Sequence, residues 1–264
     1  MTKTAIATKK DQLPAATSNE SMFSDVPAEH INPESSRGQE NVTRGDMSIP
    51  RLEVLQDTSP QAMKRDPEYI EGAESGMLFN TVSKELYGTH VAFIPTYFKL
   101  EWLIWKKQGA GGGFNGAFES EALAKAEYAE RGFGTETFKN SSGVVEDAYE
   151  LVDTAQQYGL VVHQDGSMEQ IVCSMSKSKM KASRQLNTLI NMVGGDRFAR
   201  AYKISPSLEK NAAGQEYWGL KVGAMGYVNK HMFEQAEKMY ESLKATPKSP
   251  DYGQPTPAAA ESEY

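Results

Sequence analysis

Several features that mark an enzyme or a membrane protein are missing from this chain. Its one cysteine, Cys173, has no internal partner, which excludes a disulfide framework, and its place in the run Ile171-Val172-Cys173 points to a buried core thiol and not a nucleophile. No stretch approaches the ~20 consecutive apolar residues that a membrane-spanning helix needs, and Met1–Lys10 lacks the apolar centre of a secretion signal. The expectation is a protein of a reducing cytoplasm, with no membrane partner.

Catalytic signatures are missing too. There is no Walker-type phosphate loop, no H-E-x-x-H, no C-x-x-C and no G-x-S-x-G. The four histidines, His30, His90, His163 and His231, are scattered without ligand spacing, and close carboxylates such as Glu71 and Glu74 lie in loop-like sequence without a histidine or lysine at catalytic spacing. The reading is therefore no enzyme, no catalytic residue, no cofactor and no metal. One motif argues otherwise. Gly111-Gly112-Gly113-Phe114-Asn115-Gly116 matches G-x-G-x-x-G between a strand and a helix over Glu119–Arg131. The preceding strand, however, alternates instead of being uniformly apolar like a buried parallel strand, so a glycine-rich loop tip is the better reading.

Positive charge is scarce overall but concentrated. The chain carries a net charge of −7, yet Ser176–Lys203 holds Lys177, Lys179, Lys181, Arg184, Arg197, Arg200 and Lys203 against Asp196 alone. A local basic field can attract phosphates even where the net charge repels them. Part of this island is helical. Ala182, Leu186, Leu189 and Val193 recur at the helical period, and Lys177, Lys181 and Arg184 project from the opposite side. Just before it, Leu160–His163 and Ile171–Cys173 flank Asp165-Gly166, a tight-turn pair that sets the two runs antiparallel.

The longest β pattern runs from Val91 to Lys107. Its even positions, Ala92, Ile94, Phe98, Leu100, Trp102 and Ile104, are apolar, which places Tyr97, Lys99, Trp105 and Lys107 on the exposed face, unless a bulge at Pro95 shifts the register. An exposed row of aromatics and lysines suits single-strand stacking, because every base has a π-face and every linkage a phosphate. Residues 119–150 carry eight acidic against three basic side chains and read as a solvated insertion spanning about 108–150. Further strands are expected over Phe198–Ile204 and Tyr217–Val228, with Tyr202 and Lys221 joining the basic surface. A final amphipathic helix carries Met232, Phe233, Ala236, Met239, Tyr240 and Leu243 on one stripe, to pack on the sheet or on a second copy as a homodimer contact. Residues 1–46, with the Met22-Phe23 pair, and 247–264 are polar and read as disordered tails around a domain over 47–246.

Ile49-Pro50-Arg51-Leu52 with Leu55-Gln56, then Ser59-Pro60, Gly72-Ala73-Glu74 with Gly76, Phe79-Asn80-Thr81-Val82, Ile94-Pro95, the Trp102/Trp105 strand end and Lys177–Asn187 with its Ser183-Arg184 centre together resemble a family of tailed-bacteriophage early proteins. Its better-understood members look like single-stranded DNA-binding proteins of the OB-fold type. The acidic tail with Glu261, Glu263 and Tyr264 is similar to those of T7-type phage single-stranded DNA-binding proteins, which compete with DNA and recruit replication partners. The resemblance implies a mainly β, α+β fold: an OB-like antiparallel barrel with the basic helix between strands and a C-terminal helix. It also implies nonspecific binding of single-stranded DNA in replication and recombination, in the host cytoplasm. Tyr97, Lys99, Trp105, Lys107 and the region Lys177–Lys203 would line the groove. Two other classes fit the same features: a phage protein that docks on a polymerase or nuclease, and a strand-annealing recombination protein.

Overall fold

The structure is a computed structural model that describes residues 37–42, 49–211, 214–245, 250 and 252. The chain divides into two units, Met1–Thr43 and Arg44–Tyr264. In the first, the described residues form a turn in which the Gly38 amide donates to the Glu40 carboxylate at 2.9 Å. Met22-Phe23, and nearly all of the tail expected over 1–46, lie outside the described residues.

The second unit runs in the order β1 (Leu52–Val54), β2 (Leu78–Asn80), β3 (Leu86–Gly88), β4 (Val91–Lys106), β5 (Gly113–Phe118), α1 (Glu121–Glu130), β6 (Thr137–Lys139), β7 (Val145–Asp147), β8 (Tyr149–Val162), β9 (Met168–Ser176), α2 (Met180–Val193), β10 (Arg200–Lys210), β11 (Glu216–Tyr227) and α3 (Lys230–Ala245). Strands β1 to β3 make a small sheet, β6 and β7 a hairpin, and the rest one large sheet ordered β11-β10-β4-β8-β9 with β5 also on β4. Every pairing of these strands is antiparallel, so the α+β class stands. Asp165-Gly166 makes the expected β8–β9 turn, with Gly166 at φ +85° and Ser167 accepting from the His163 amide.

Strand β4 is the axis. One edge pairs with β8 along nearly its whole length, while the other is shared by β10 at Val91–Phe93 and β5 at Trp102–Lys106. Pro95 has no N–H to give to the ladder, and the register against β8 shifts between Pro95 and Tyr97. That one-residue slip sends the next side chains to opposite faces. Phe98 and Leu100, assigned to the interior by simple alternation, are exposed, while Leu103 and Trp105 are buried. The glycine run Gly111–Gly116 is a loop tip only in its first half: Gly111 and Gly112 close the turn after β4, and from Gly113 the chain becomes β5 and returns antiparallel along β4, whereas a dinucleotide loop leads from strand to helix.

Both faces of the large sheet are covered. On one, Phe93, Val161, Ile171, Cys173, Met175, Tyr202, Ile204 and Val222 pack against Ala182 and Leu186 of α2 and against Leu52 and Leu78 of the small sheet. On the other, Ile94, Tyr158, Leu160, Val172 and Phe198 meet Ala236, Met239 and Leu243 of α3. Each fully buried aliphatic side chain contributes about 1.5–3 kcal/mol of transfer free energy, so the two stripes read in the sequence anchor their helices. Cys173 belongs to this core, and burial pushes its thiol up to about 12. Among the expected tail residues, Pro250 bridges to Ile49 and Tyr252 packs beside Trp105.

The two outer strands, β9 and β11, do not pair with each other among the described residues. The segment 50–56 spans them instead. The Pro50 carbonyl accepts from the Val172 amide of β9 at 2.9 Å, and Arg51 bridges Val172 in parallel. Six residues on, the Gln56 side-chain amide grips the backbone of β11: its Nε2 donates to the Trp218 carbonyl and its Oε1 accepts from the Trp218 amide, both at 2.8 Å. A primary amide has the donor and acceptor of a peptide unit, so Gln56 replaces one rung of a strand ladder. Gly76 permits the fit: at φ +82°, a Cβ there would lie 2.8 Å from the Trp218 ring.

Candidate nucleic-acid interface

Four of the cations expected to meet phosphates are already paired with carboxylates. Lys99 lies 2.8 Å from Glu101, Lys107 3.4 Å from Glu146, Lys177 2.9 Å from Glu150 and Lys179 3.0 Å from Glu53. Lys177 and Lys179 precede α2 in a 3-10 turn, so only Lys181 and Arg184 of the basic stripe project from the helix itself, and both are exposed. A cleft of about 470 Å³ near this turn holds Lys107, Lys125 and Lys177 beside Asp147, Glu150 and Asp153, a balance of charge that gives an anion no preference.

The aromatics expected on the binding surface, Tyr97 and Trp105 for stacking and Tyr202 beside the cations, fare no better. Trp105 is 9% exposed, packed against Leu103, Val152 and Tyr252 and edge-on to Phe114 at 5.3 Å. Tyr202, at 1% exposure, lies in the core. Tyr97 is half-buried against Tyr158 beside the α3 cluster. For Tyr97 and Trp105 the physical cause is the Pro95 slip, which turns the β4 row toward covered surface, while Tyr202 is buried because its side of β10 faces the core under α2. Lys203 and Lys221 are exposed on β10 and β11 as expected. Glu261, Glu263 and Tyr264 lie outside the described residues.

The structure brings a different set together around the 3-10 turn Arg197–Ala199, which lies against β4 where neither β10 nor β5 pairs with it. The Arg197 guanidinium stands 5.5 Å over the ring of Phe98, which is 37% exposed, with Leu100 exposed next along the same face. The guanidinium is held from behind. Its Nη2 donates to Asn187 Oδ1 at 2.8 Å and to Gln157 Oε1, while Gln157 Nε2 donates to Ser183 Oγ at 2.8 Å. Burial lowers the Arg197 pKa to about 10, so it stays charged at neutral pH. Three residues on, Arg200 stands 4.8 Å over Tyr227, its register partner on β11, whose side chain is 74% exposed.

Neither arginine has a carboxylate within ion-pair distance among the described residues, and the Nε atoms of both are buried without a hydrogen-bond partner. The arrangement therefore offers two guanidinium–aromatic contacts whose positive charge no carboxylate offsets, beside the helix that carries Lys181 and Arg184, whereas Lys203 and Lys221 alternate with Tyr202, Ile204 and Val222 and so point to the opposite face of the sheet. Such a surface can stack planar rings and neutralise anions. Sequence reading identified the arginines but not Tyr227, and it buried Phe98. The signal for Phe98 was the proline two residues before the slip ends.

A family model described as Pam3 phage gp34-like protein matches residues 18–248. No curated protein and no solved structure matches the chain.

Proposed function

The chain belongs to the Pam3 phage gp34-like protein family, and from that premise we propose that it binds single-stranded DNA without sequence preference during phage replication or recombination. The family description names no activity, so the reading rests on the surface. The observation that carries it is Arg197: a largely buried cation, held by amides instead of carboxylates, over an exposed Phe98 ring. A phosphate is the anion such a site lacks, and a base is the flat group that would share its aromatic face. The segment 50–56, which links β9 to β11, supports reading the large sheet as an OB-like barrel, with the groove on the β4 face beside α2.

In the revised site Phe98 and Tyr227 stack bases. Arg197, Arg200, Lys181 and Arg184 neutralise phosphates. The test is fluorescence anisotropy of a labelled oligo-dT with the full chain at several salt concentrations, with duplex as control. Saturable, salt-sensitive binding that prefers the single strand is expected. Stacking contributes about 1–3 kcal/mol per base, so Phe98→Ala should weaken binding about tenfold or more. Each phosphate contact adds about 0.7 to the log–log salt slope, and reversing Lys181 and Arg184 should flatten it. A folded wild-type chain that binds no oligonucleotide at low salt would overturn the proposal.

A further inference from the structure

On the other side of the β8–β9 turn, three elements bring one imidazole and two carboxylates together: Glu85 ahead of β3, His163 just after β8, and Glu169 in β9. His163 Nδ1 is 3.5 Å from Glu85 Oε1, and its Nε2 is 3.7 Å from Glu169 Oε2. One ligand atom from each residue lies within 4.8 Å of the other two. Ligands about 2.0–2.2 Å from a tetrahedral cation sit about 3.4 Å apart, and because one ion takes only one ring nitrogen, closing the trio requires the imidazole and one carboxylate to turn toward a shared point.

Glu169 is already oriented. Its Oε1 accepts from Asn80 Nδ2 at 2.7 Å and its Oε2 from the Tyr87 hydroxyl at 2.5 Å. Hydrogen bonds of this kind to a ligating carboxylate are the usual outer support of a metal site. Moreover, no lysine or arginine pairs with Glu85 or Glu169 among the described residues. Two negative charges therefore converge on an imidazole without a fixed counter-cation.

We propose that Glu85, His163 and Glu169 bind one divalent first-row cation of the Zn²⁺ class, with water completing its coordination. One imidazole with two carboxylates suits such a cation better than Mg²⁺, which favours an all-oxygen, water-rich shell. The ion would tie the chain entering β3 to the β8–β9 turn, and so clip the small sheet to the large one. Its expected effect is on stability, independent of nucleic-acid binding.

The test uses the full chain freed of metal by chelation, titrated calorimetrically with Zn²⁺ and with Mg²⁺ at pH 7.5, alongside thermal unfolding. About one equivalent of Zn²⁺ should bind and raise the melting temperature, with Mg²⁺ ineffective. His163→Asn and Glu169→Gln should each weaken Zn²⁺ binding at least tenfold, and Tyr87→Phe, which removes only outer support, by about tenfold. Should the buried-side variants misfold, Glu85→Gln alters an exposed residue and must still weaken binding. Absence of stoichiometric Zn²⁺ binding by wild type, or unchanged affinity in Glu85→Gln and His163→Asn, would overturn the site and leave only an ion-paired histidine.

Discussion

Glu53 is a carboxylate almost sealed from water, with Lys179 Nζ at 3.0 Å and Arg51 Nη1 at 3.5 Å. Burial acts to raise its pKa, but the two cations outweigh burial and hold it below the ordinary carboxylate range. A folded-state pKa below the unfolded one contributes stability above the unfolded value, and this is lost as pH falls through the lowered folded value. The wild type should therefore lose stability on acidification in part through Glu53, and Glu53→Gln should remove that part. At neutral pH the variant leaves two cations without a counter-charge and should cost about 3 kcal/mol. Urea titrations of both proteins at neutral and acid pH decide it, since parallel losses on acidification would show that Glu53 does not carry the dependence. The same contact explains why Lys179, a phosphate ligand by its place in the basic run, belongs to the fold instead.

At the level of the strand, the slip in β4 depends on what stands opposite it. Gly159 is the register partner of Pro95, and a Cβ there would lie 2.3 Å from the Ile94 carbonyl oxygen and 2.5 Å from the Phe93 ring. A backbone oxygen cannot step aside as a side-chain tip can. Gly159→Ala should cost about 1–3 kcal/mol, measured by chemical denaturation, and an unchanged midpoint would mean the bulge relaxes freely. This local geometry also marks how far the sequence could be read. The Asp165-Gly166 turn and the buried stripes of α2 and α3 are local patterns with a fixed period, and they appear in the structure, except that Val193 at the end of the α2 stripe is exposed. The phase of β4 beyond Pro95 is not local to the strand, because Gly159 lies on another one. Alternation alone therefore exchanged Phe98 for Trp105 in the proposed groove. The glycine run hid β5 because it lacks the branched residues that mark a strand. Glu85, His163 and Glu169 carry no spacing signal, since pairing across the sheets is what brings them together.

For the whole molecule, the segment 50–56 joins the outer strands, by backbone at β9 and by the Gln56 side chain at β11. Gln56→Ala removes both hydrogen bonds to Trp218 and should cost about 1–3 kcal/mol, with the Trp218 amide exchanging faster while the α3 face keeps its protection. Equal exchange at Trp218 in both proteins would show that the junction holds without Gln56. The junction also bears on how molecules meet. An outer strand with unpaired donors and acceptors invites a neighbour's strand to continue the ladder. Here β9 gives its Val172 amide to Pro50, and β11 gives both backbone groups of Trp218 to Gln56. Proline has no N–H of its own to offer outward, so the residue that seals one rim does not begin another. The sheet ends on its own chain, and neighbouring copies would lack at these points the exposed rungs from which a fibre grows.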